Sequence, residues 1–271
     1  MVRFLFLGEI TGRPGITAVK NGLPALKDKH EIDYVIANAE GATNGFGLGP
    51  AHSVQLSKLG VNLLTGGEKL FFKADFPEFI QKAGFVLRPA NYPVKAPGKS
   101  YRAVELRGKR FIIISLQGNA LLKQGLANAF TSIELLLRKL KEKEPEAYFL
   151  VFFHAAASAE KRTMLFFLDG QVSAVIGTHA KVLTADETVT EKGTGYITDN
   201  GRVGSFMSAG GFDPDTEIQK LRSQMPVRSR ECWEDGRIQG VIVSIDESTG
   251  RCVSVERIME KVPIKAPEKK V

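Results

Sequence analysis

The chain has 271 residues, of which 43% are hydrophobic, and a formal net charge of +7. That length supports one large core or at most two domains. No stretch approaches the run of about 18 apolar residues that a membrane-spanning helix needs. The last eleven residues, 261–271, hold four Lys and one Glu and so contribute +3 of the charge. No Arg/Lys block interleaved with aromatics occurs, so the basic balance alone gives weak support for a nucleic-acid partner. The two cysteines, Cys232 and Cys252, are widely spaced, as in a reduced, cytoplasmic protein.

Helical and strand patterns alternate along most of the chain. Residues 2–7 read as a strand, and Arg13-Pro14-Gly15 opens a helix to about residue 29. A second strand, 33–38, leads into the glycine-rich loop 41–50. That loop lacks the Gly-Lys-Ser/Thr ending of a phosphate-binding P-loop and reads as a segment packed close to a site. A short helix at 51–59, a strand at 61–64, a helix at 70–83 and a strand at 85–87 follow. The prolines of 88–93 force an extended loop. Strands 101–106 and 109–115 form a hairpin about Arg107-Gly108. Residues 128–143 carry apolar side chains at three- and four-residue steps and form a helix. A strand at 148–153, a helix at 158–168 and a strand at 172–176 complete the alternating part. Beyond residue 183 antiparallel strands are expected, at 187–191, 195–198, 238–246 and 251–258, with a helix capped by Asp213 and ending near Gln224. One domain over residues 1–260 and a loosely held basic tail, 261–271, are the expected organisation.

The most informative pattern is at the strand ends. Five nearly continuous apolar runs, the mark of strands buried on both faces, each give way to polar residues just past the tip. The first leads to Glu9, the second through Asn38 to Glu40, the third to Glu68 and Lys69. The fourth leads to His154, and the fifth to His179 and Lys181. Ligand sites in α/β sheets lie outside the carboxyl ends of strands, so these residues are expected to gather into one site. Thr11, Asn38 and Asn91 lie beside it as candidate ligand contacts. His30 and His52 fall in surface patterns and receive no role.

This constellation resembles the YmdB-like family of calcineurin-type metallophosphoesterases, from the first residue to about residue 258. The resemblance is carried by segments 8–15, 36–46, 87–93, 172–179, 184–187 and 196–204. It implies a four-layer α/β/β/α sandwich of two mixed sheets and hydrolysis of phosphodiesters, cyclic nucleotides among them, with two bridged metal ions. It also implies a capacity to form homo-oligomers.

The motif residues depart from the family pattern at several positions. Glu9 stands where the family has Asp, and Gly41 where an Asn follows the bridging Glu40. The family's Gly-Asn-His reads Gly67-Glu68-Lys69 here, so the His that protonates the leaving group is Lys69. Ala156 replaces a Glu, and Gly-Thr-His-x-His reads Gly177-Thr178-His179-Ala180-Lys181. By the resemblance, Glu40, Glu68, His154 and His179 form one metal half-site suited to Mn, Fe or Zn. Glu9 and Glu40 remain of the other half-site. A protonated lysine offers donors and no acceptor, so Lys181 cannot ligate and instead places a fixed positive charge where the second ion would sit.

The expectation is a degenerate member of the family, with at most one divalent ion or none and phosphodiesterase activity weak or lost. It would serve a regulatory role through a phosphodiester ligand or a protein partner. The alternatives are an active single-metal phosphodiesterase, and a scaffold that binds nucleic acid or protein without using the pocket. No membrane partner is expected.

Overall fold

The computed structural model describes residues 1–267. The elements in chain order are β1 (Val2–Leu7), β2 (Glu9–Ile10), α1 (Gly12–His30), β3 (Tyr34–Asn38), α2 (Pro50–Lys58), β4 (Leu63–Thr65), α3 (Phe76–Lys82) and β5 (Val86–Leu87). Next come β6 (Tyr101–Leu106), β7 (Lys109–Gln117), α4 (Ala129–Lys143), β8 (Tyr148–His154), α5 (Ser158–Leu168) and β9 (Ala174–Thr178). The chain closes with β10 (Thr188–Val189), β11 (Gly195–Ile197), β12 (Arg202–Ser205), α6 (Pro214–Ser223), β13 (Gly236–Ile245) and β14 (Cys252–Lys261).

Two mixed sheets result. One runs β2-β12-β13-β1-β3-β4-β5, with β14 added alongside β13, and the other runs β10-β11-β9-β8-β7-β6. Strand alternation sorts the apolar residues into three layers of core. On β1, Leu5 and Leu7 face Val19, Leu23 and Leu26 of α1, while Phe4 and Phe6 face the other sheet. On β8, Leu150 and Phe152 complete that middle layer, with Phe6 and Phe152 in edge contact at 5.5 Å. Phe149, Val151 and Phe153 turn outward onto Ile133 and Leu137 of α4 and Leu165 of α5. Helix, sheet, sheet, helix is therefore the layer order, the four-layer sandwich implied by the family resemblance. Both faces of β1 and β8 are buried, which is why those strands read as unbroken apolar runs.

Four expectations are corrected. The helix expected over 70–83 begins only at Phe76, where Pro77 occupies its first turn. The stretch before it is held as turns because the Glu40 carboxylate accepts from the backbone N–H groups of Gly67 and Lys69. Second, the strands beyond residue 183 are not all antiparallel: β11 pairs parallel with β9 and β12 pairs parallel with β2. Third, β2 and β12, each four residues or fewer, were too short to register as patterns. Fourth, the tail is docked at its start. β14 runs to Lys261, the Val262 N–H donates to Gly236 O at 2.8 Å, and Asn21 donates to Pro263 O at 2.7 Å. The expectation for 268–271 lies outside the described residues.

Candidate active site

The parallel alignment of β1, β3 and β4 in one sheet and β8 and β9 in the other sets all five tips at one end of the sandwich. Glu9 follows β1 directly after Gly8, where a Cβ would lie 2.3 Å from the Gly201 carbonyl carbon. Glu40 follows β3, and its N–H donates to Asn38 Oδ1 at 3.0 Å. Glu68 and Lys69 lie in the turn after β4. His154 ends β8, and His179 and Lys181 follow β9.

The side chains converge. Glu68 Oε2 meets His154 Nε2 in a short contact, and Glu68 Oε1 lies 3.5 Å from His179 Nδ1. His179 Nδ1 and His154 Nε2 are 3.1 Å apart. One ligand atom from each of Glu68, His154 and His179 falls within 4.8 Å of the others. Glu40 Oε1 adjoins this group, 3.4 Å from His154 Nε2. It is buried and accepts no hydrogen bond. Lys69 Nζ lies 3.1 Å from Glu68 Oε1 and 3.6 Å from Glu40 Oε1. Glu9 faces Lys181. Its carboxylate is fully buried, neither oxygen accepts a hydrogen bond of good geometry, and Lys181 Nζ lies 3.0 Å from Oε1.

Charge and burial oppose each other across this cluster. Burial acts to raise Glu68, but hydrogen bonds from His154 and His179 outweigh it and hold the carboxyl well below the usual range. Burial raises Glu40, against the pull of His154 and with the push of Glu9 and Glu68. Burial would deprotonate His154, but Glu40 and Glu68 reverse that and raise it. Lys69 follows the same pattern: burial lowers it, and Glu9, Glu40 and Glu68 together raise it above its ordinary value.

Two imidazoles and a carboxylate, with Glu40 Oε1 unpartnered beside them, are a donor set that fits one divalent transition ion. The Glu9 side does not fit a second. Its other wall is an ammonium, and a cation about 4 Å from another is repelled by roughly 4 kcal/mol per unit charge at an effective dielectric of 20. Gly41 packs close against this carboxylate: a Cβ there would come 2.4 Å from Glu9 Oε1.

The three candidate ligand contacts each make hydrogen bonds within the chain. Asn91 is turned to backbone, donating to Gln117 O at 2.8 Å and Ala127 O at 2.9 Å and accepting from Gln117 N–H at 3.2 Å. It fastens the 88–93 loop to β7, and its donors and acceptor are spent. Asn38 lies under the site, 3.3 Å from His154 Nδ1 and donating to Thr178 Oγ1 at 3.2 Å. Thr11 is buried and donates to Glu9 O at 3.3 Å. All three position other residues.

Several residues escaped sequence reasoning. Asp199 accepts from Lys161 Nζ at 2.9 Å, from Ala180 N–H at 2.7 Å and from Gly201 N–H at 3.1 Å. Both members of the Lys161–Asp199 pair are buried. The pair braces the turn in which His179 (φ 122°) and Lys181 (φ 61°) adopt positive-φ backbone, a conformation costly for side-chain-bearing residues. Asn200 donates to Leu7 O at 2.8 Å, fastening this turn to the strand that leads to Glu9. The signal for Asp199 was its place in the matched segment 196–204. Lys161 gave none, because an isolated Lys on a helix reads as surface. His52 holds the glycine-rich loop, 2.8 Å from Thr43 Oγ1.

A four-layer sandwich with a carboxylate–imidazole cluster at the sheet tips defines a metallophosphoesterase-type protein. The chain belongs to the YmdB-like family, whose model matches residues 5–258. It is 35% identical over 258 residues to a 2′,3′-cyclic-nucleotide 2′-phosphodiesterase of Bacillus subtilis, covering 95% of this chain and 97% of that one. A hypothetical protein from Thermus thermophilus, solved by crystallography, superposes with a TM-score of 0.89 at 32% identity over 97% of this chain and 100% of its own. A novel phosphatase from Mycoplasma pneumoniae gives 0.89 at 29% identity, covering 97% and 94%. The NAD nucleotidase of Haemophilus influenzae shares the fold alone, at 12% identity and a TM-score of 0.63. The family is thus one of phosphodiesterases and phosphatases. Among the described residues no helix is long and apolar enough to cross a membrane.

Proposed function

We propose that this chain binds a phosphodiester above a single-cation half-site and hydrolyses it weakly or not at all. The observation that carries this reading is the Lys181 ammonium 3.0 Å from Glu9 Oε1, on the side of the site where a second ion would need donors. Lys69 supports it. Its proton is held by three carboxylates, which makes it a poor general acid at neutral pH and a good point charge for a phosphate oxygen. Glu68, His154 and His179, with Glu40, would hold the one ion. When bound, that ion supplies Lewis acidity toward a phosphoryl oxygen and lowers the pKa of a coordinated water. The chain's own groups orient the ligand: Lys69 and Lys181 counter its charge, and Asn38 fixes His154.

The Bacillus subtilis relative gives the substrate class to try first, a 2′,3′-cyclic nucleotide. Plasma mass spectrometry after loading with Mn²⁺ or Zn²⁺ and desalting should find about one ion per chain. Hydrolysis of bis-p-nitrophenyl phosphate and of 2′,3′-cyclic AMP should be at or near background. Two ions per chain would end the Lys181 argument. One ion with brisk hydrolysis would establish the competing reading, an active single-metal phosphodiesterase, which the three-donor cluster favours. Binding of neither ion nor phosphodiester would move the search to protein partners, a regulatory role the family scaffold could also serve.

A further inference from the structure

Beside the charged floor of the site stands a pair of phenylalanines that the chemistry above does not use. Phe212 lies between Gly211 and Asp213, with Lys181 Nζ 5.9 Å from its ring centre. Phe46 stacks on it, ring centres 5.6 Å apart and planes 19° from parallel. Phe212 is 8% exposed and Phe46 is 40% exposed, so Phe46 is the solvent-side member of the stack and Phe212 backs it.

The glycine-rich loop is shaped to hold that face in place. Gly45 has φ 78°, and a Cβ there would come 2.2 Å from Phe212 Cζ, so only glycine lets the two rings stack. Thr43 Oγ1 accepts from Gly49 N–H at 2.8 Å and contacts His52, closing the loop below Phe46. Across the loop Phe72, 58% exposed, follows Lys69 in its turn, its N–H donating to Lys69 O at 3.0 Å. Lys181 Nζ is thus 5.9 Å from the buried ring on which the more exposed Phe46 stacks.

We propose that Phe46, backed by Phe212, is a stacking platform for the base of a nucleotide whose phosphate lies between Lys69 and Lys181. This deepens, and rests on, the reading of the pocket as a phosphodiester site. A rigid, half-exposed ring beside paired ammonium groups suits a ligand with a flat π-face at one end and an anion at the other. Stacking is tolerant of base identity, because every base has such a face, so nucleotides are selected as a class.

Calorimetric titration in EDTA tests this, with 2′,3′-cyclic AMP, 2′,3′-cyclic CMP and inorganic phosphate as ligands. Phe46→Ala should weaken both cyclic nucleotides by about 5- to 100-fold and leave phosphate binding unchanged. Phe46→Trp should keep or improve nucleotide binding, and Phe46→Leu, which covers Phe212 without a π-face, should weaken it. Full nucleotide affinity in Phe46→Ala or Phe46→Leu overturns the platform and leaves the pocket reading standing, since phosphate is still bound. A wild-type protein that binds neither nucleotide nor phosphate, in EDTA and again with Mn²⁺ added, overturns both. An unchanged urea midpoint in each variant shows that the folded protein was compared.

Discussion

Glu9 is fully buried, and among the described residues its counter-charge is the Lys181 ammonium. A buried carboxylate stripped of its partner is left with its desolvation and no compensation. Lys181→Ala should therefore lower stability by about 3 kcal/mol in urea denaturation, at the lower end for such a loss because Lys181 retains some exposure. Excess Mn²⁺ should return part of it, since removing the ammonium removes the repulsion. A loss under about 0.5 kcal/mol, the size of an ordinary surface change, would mean the pair does not neutralise Glu9. Gly41 belongs to the same arrangement, because a Cβ there meets Glu9 Oε1 at 2.4 Å. Gly41→Ala should cost about 1–3 kcal/mol by crowding, and the cost should shrink when Glu9→Asp shortens the carboxylate. Additive losses in the double variant would show that the two positions are independent. The thiol of Cys252 is a simpler case. Burial pushes it up to about 12, so it should stay unreactive toward iodoacetamide at pH 8 until the protein is unfolded.

The elements that hold the site depend on a buried pair set behind it. Lys161 on α5 and Asp199 beyond β11 join at 2.9 Å, and Asp199 also fixes the backbone N–H of Ala180 between His179 and Lys181. Burial pushes the Asp199 carboxyl up, against the pull of Lys161 and the hydrogen bonds it accepts. Lys161→Met removes the largest opposing pull, so the carboxyl should rise further. A carboxyl whose folded pKa exceeds its unfolded value binds protons more tightly in the folded state. Its contribution is then most favourable at low pH and is lost as pH rises through the window above the ordinary carboxylate range. Lys161→Met should accordingly be less stable than the wild type by about 3–5 kcal/mol at pH 7, with the gap narrowing toward pH 4. A gap constant with pH would show that the methionine packs badly and that charge is not the cause. Sequence reasoning could not reach this pair. Hydrophobic runs located β1, β3, β8 and β9 because both faces of each are covered, and the polar residues at their tips followed. The strands it missed, β2 and β12, are too short to show a period. The helix it overextended before Phe76 has suitable residues, but the Glu40 carboxylate binds the backbone there. Contacts between segments far apart in sequence, such as Lys161 with Asp199 and Asn91 with Gln117, leave no local trace.

At the scale of the molecule, the site is a joint between two sheets. Glu40 and Glu68 extend from tips of the sheet built on β1, and His154 and His179 from tips of the sheet built on β8. An ion held by both sets would clamp the sandwich, so binding must appear as global stability and not only as local order. Free Mn²⁺ or Zn²⁺ at about a hundred times its dissociation constant should stabilise the chain by roughly 2.7 kcal/mol over the protein in EDTA. The pH dependence has a definite sign. Against burial, Glu40 and Glu68 raise His154, and an ion competes with its proton, so the metal-dependent shift should grow as pH rises through the raised His154 value. Glu68→Gln should reduce the shift, because one of the two carboxylates that face the histidines is lost. The triple change Lys181→His, Lys69→His and Glu68→Asn should enlarge the shift and bring hydrolysis of bis-p-nitrophenyl phosphate above background, because it supplies an imidazole where the ammonium of Lys181 stands. A triple variant that gains metal-dependent stability without hydrolysis would trace the missing chemistry to Glu9 and Gly41, which pack closely against each other on the second ion's side of the site.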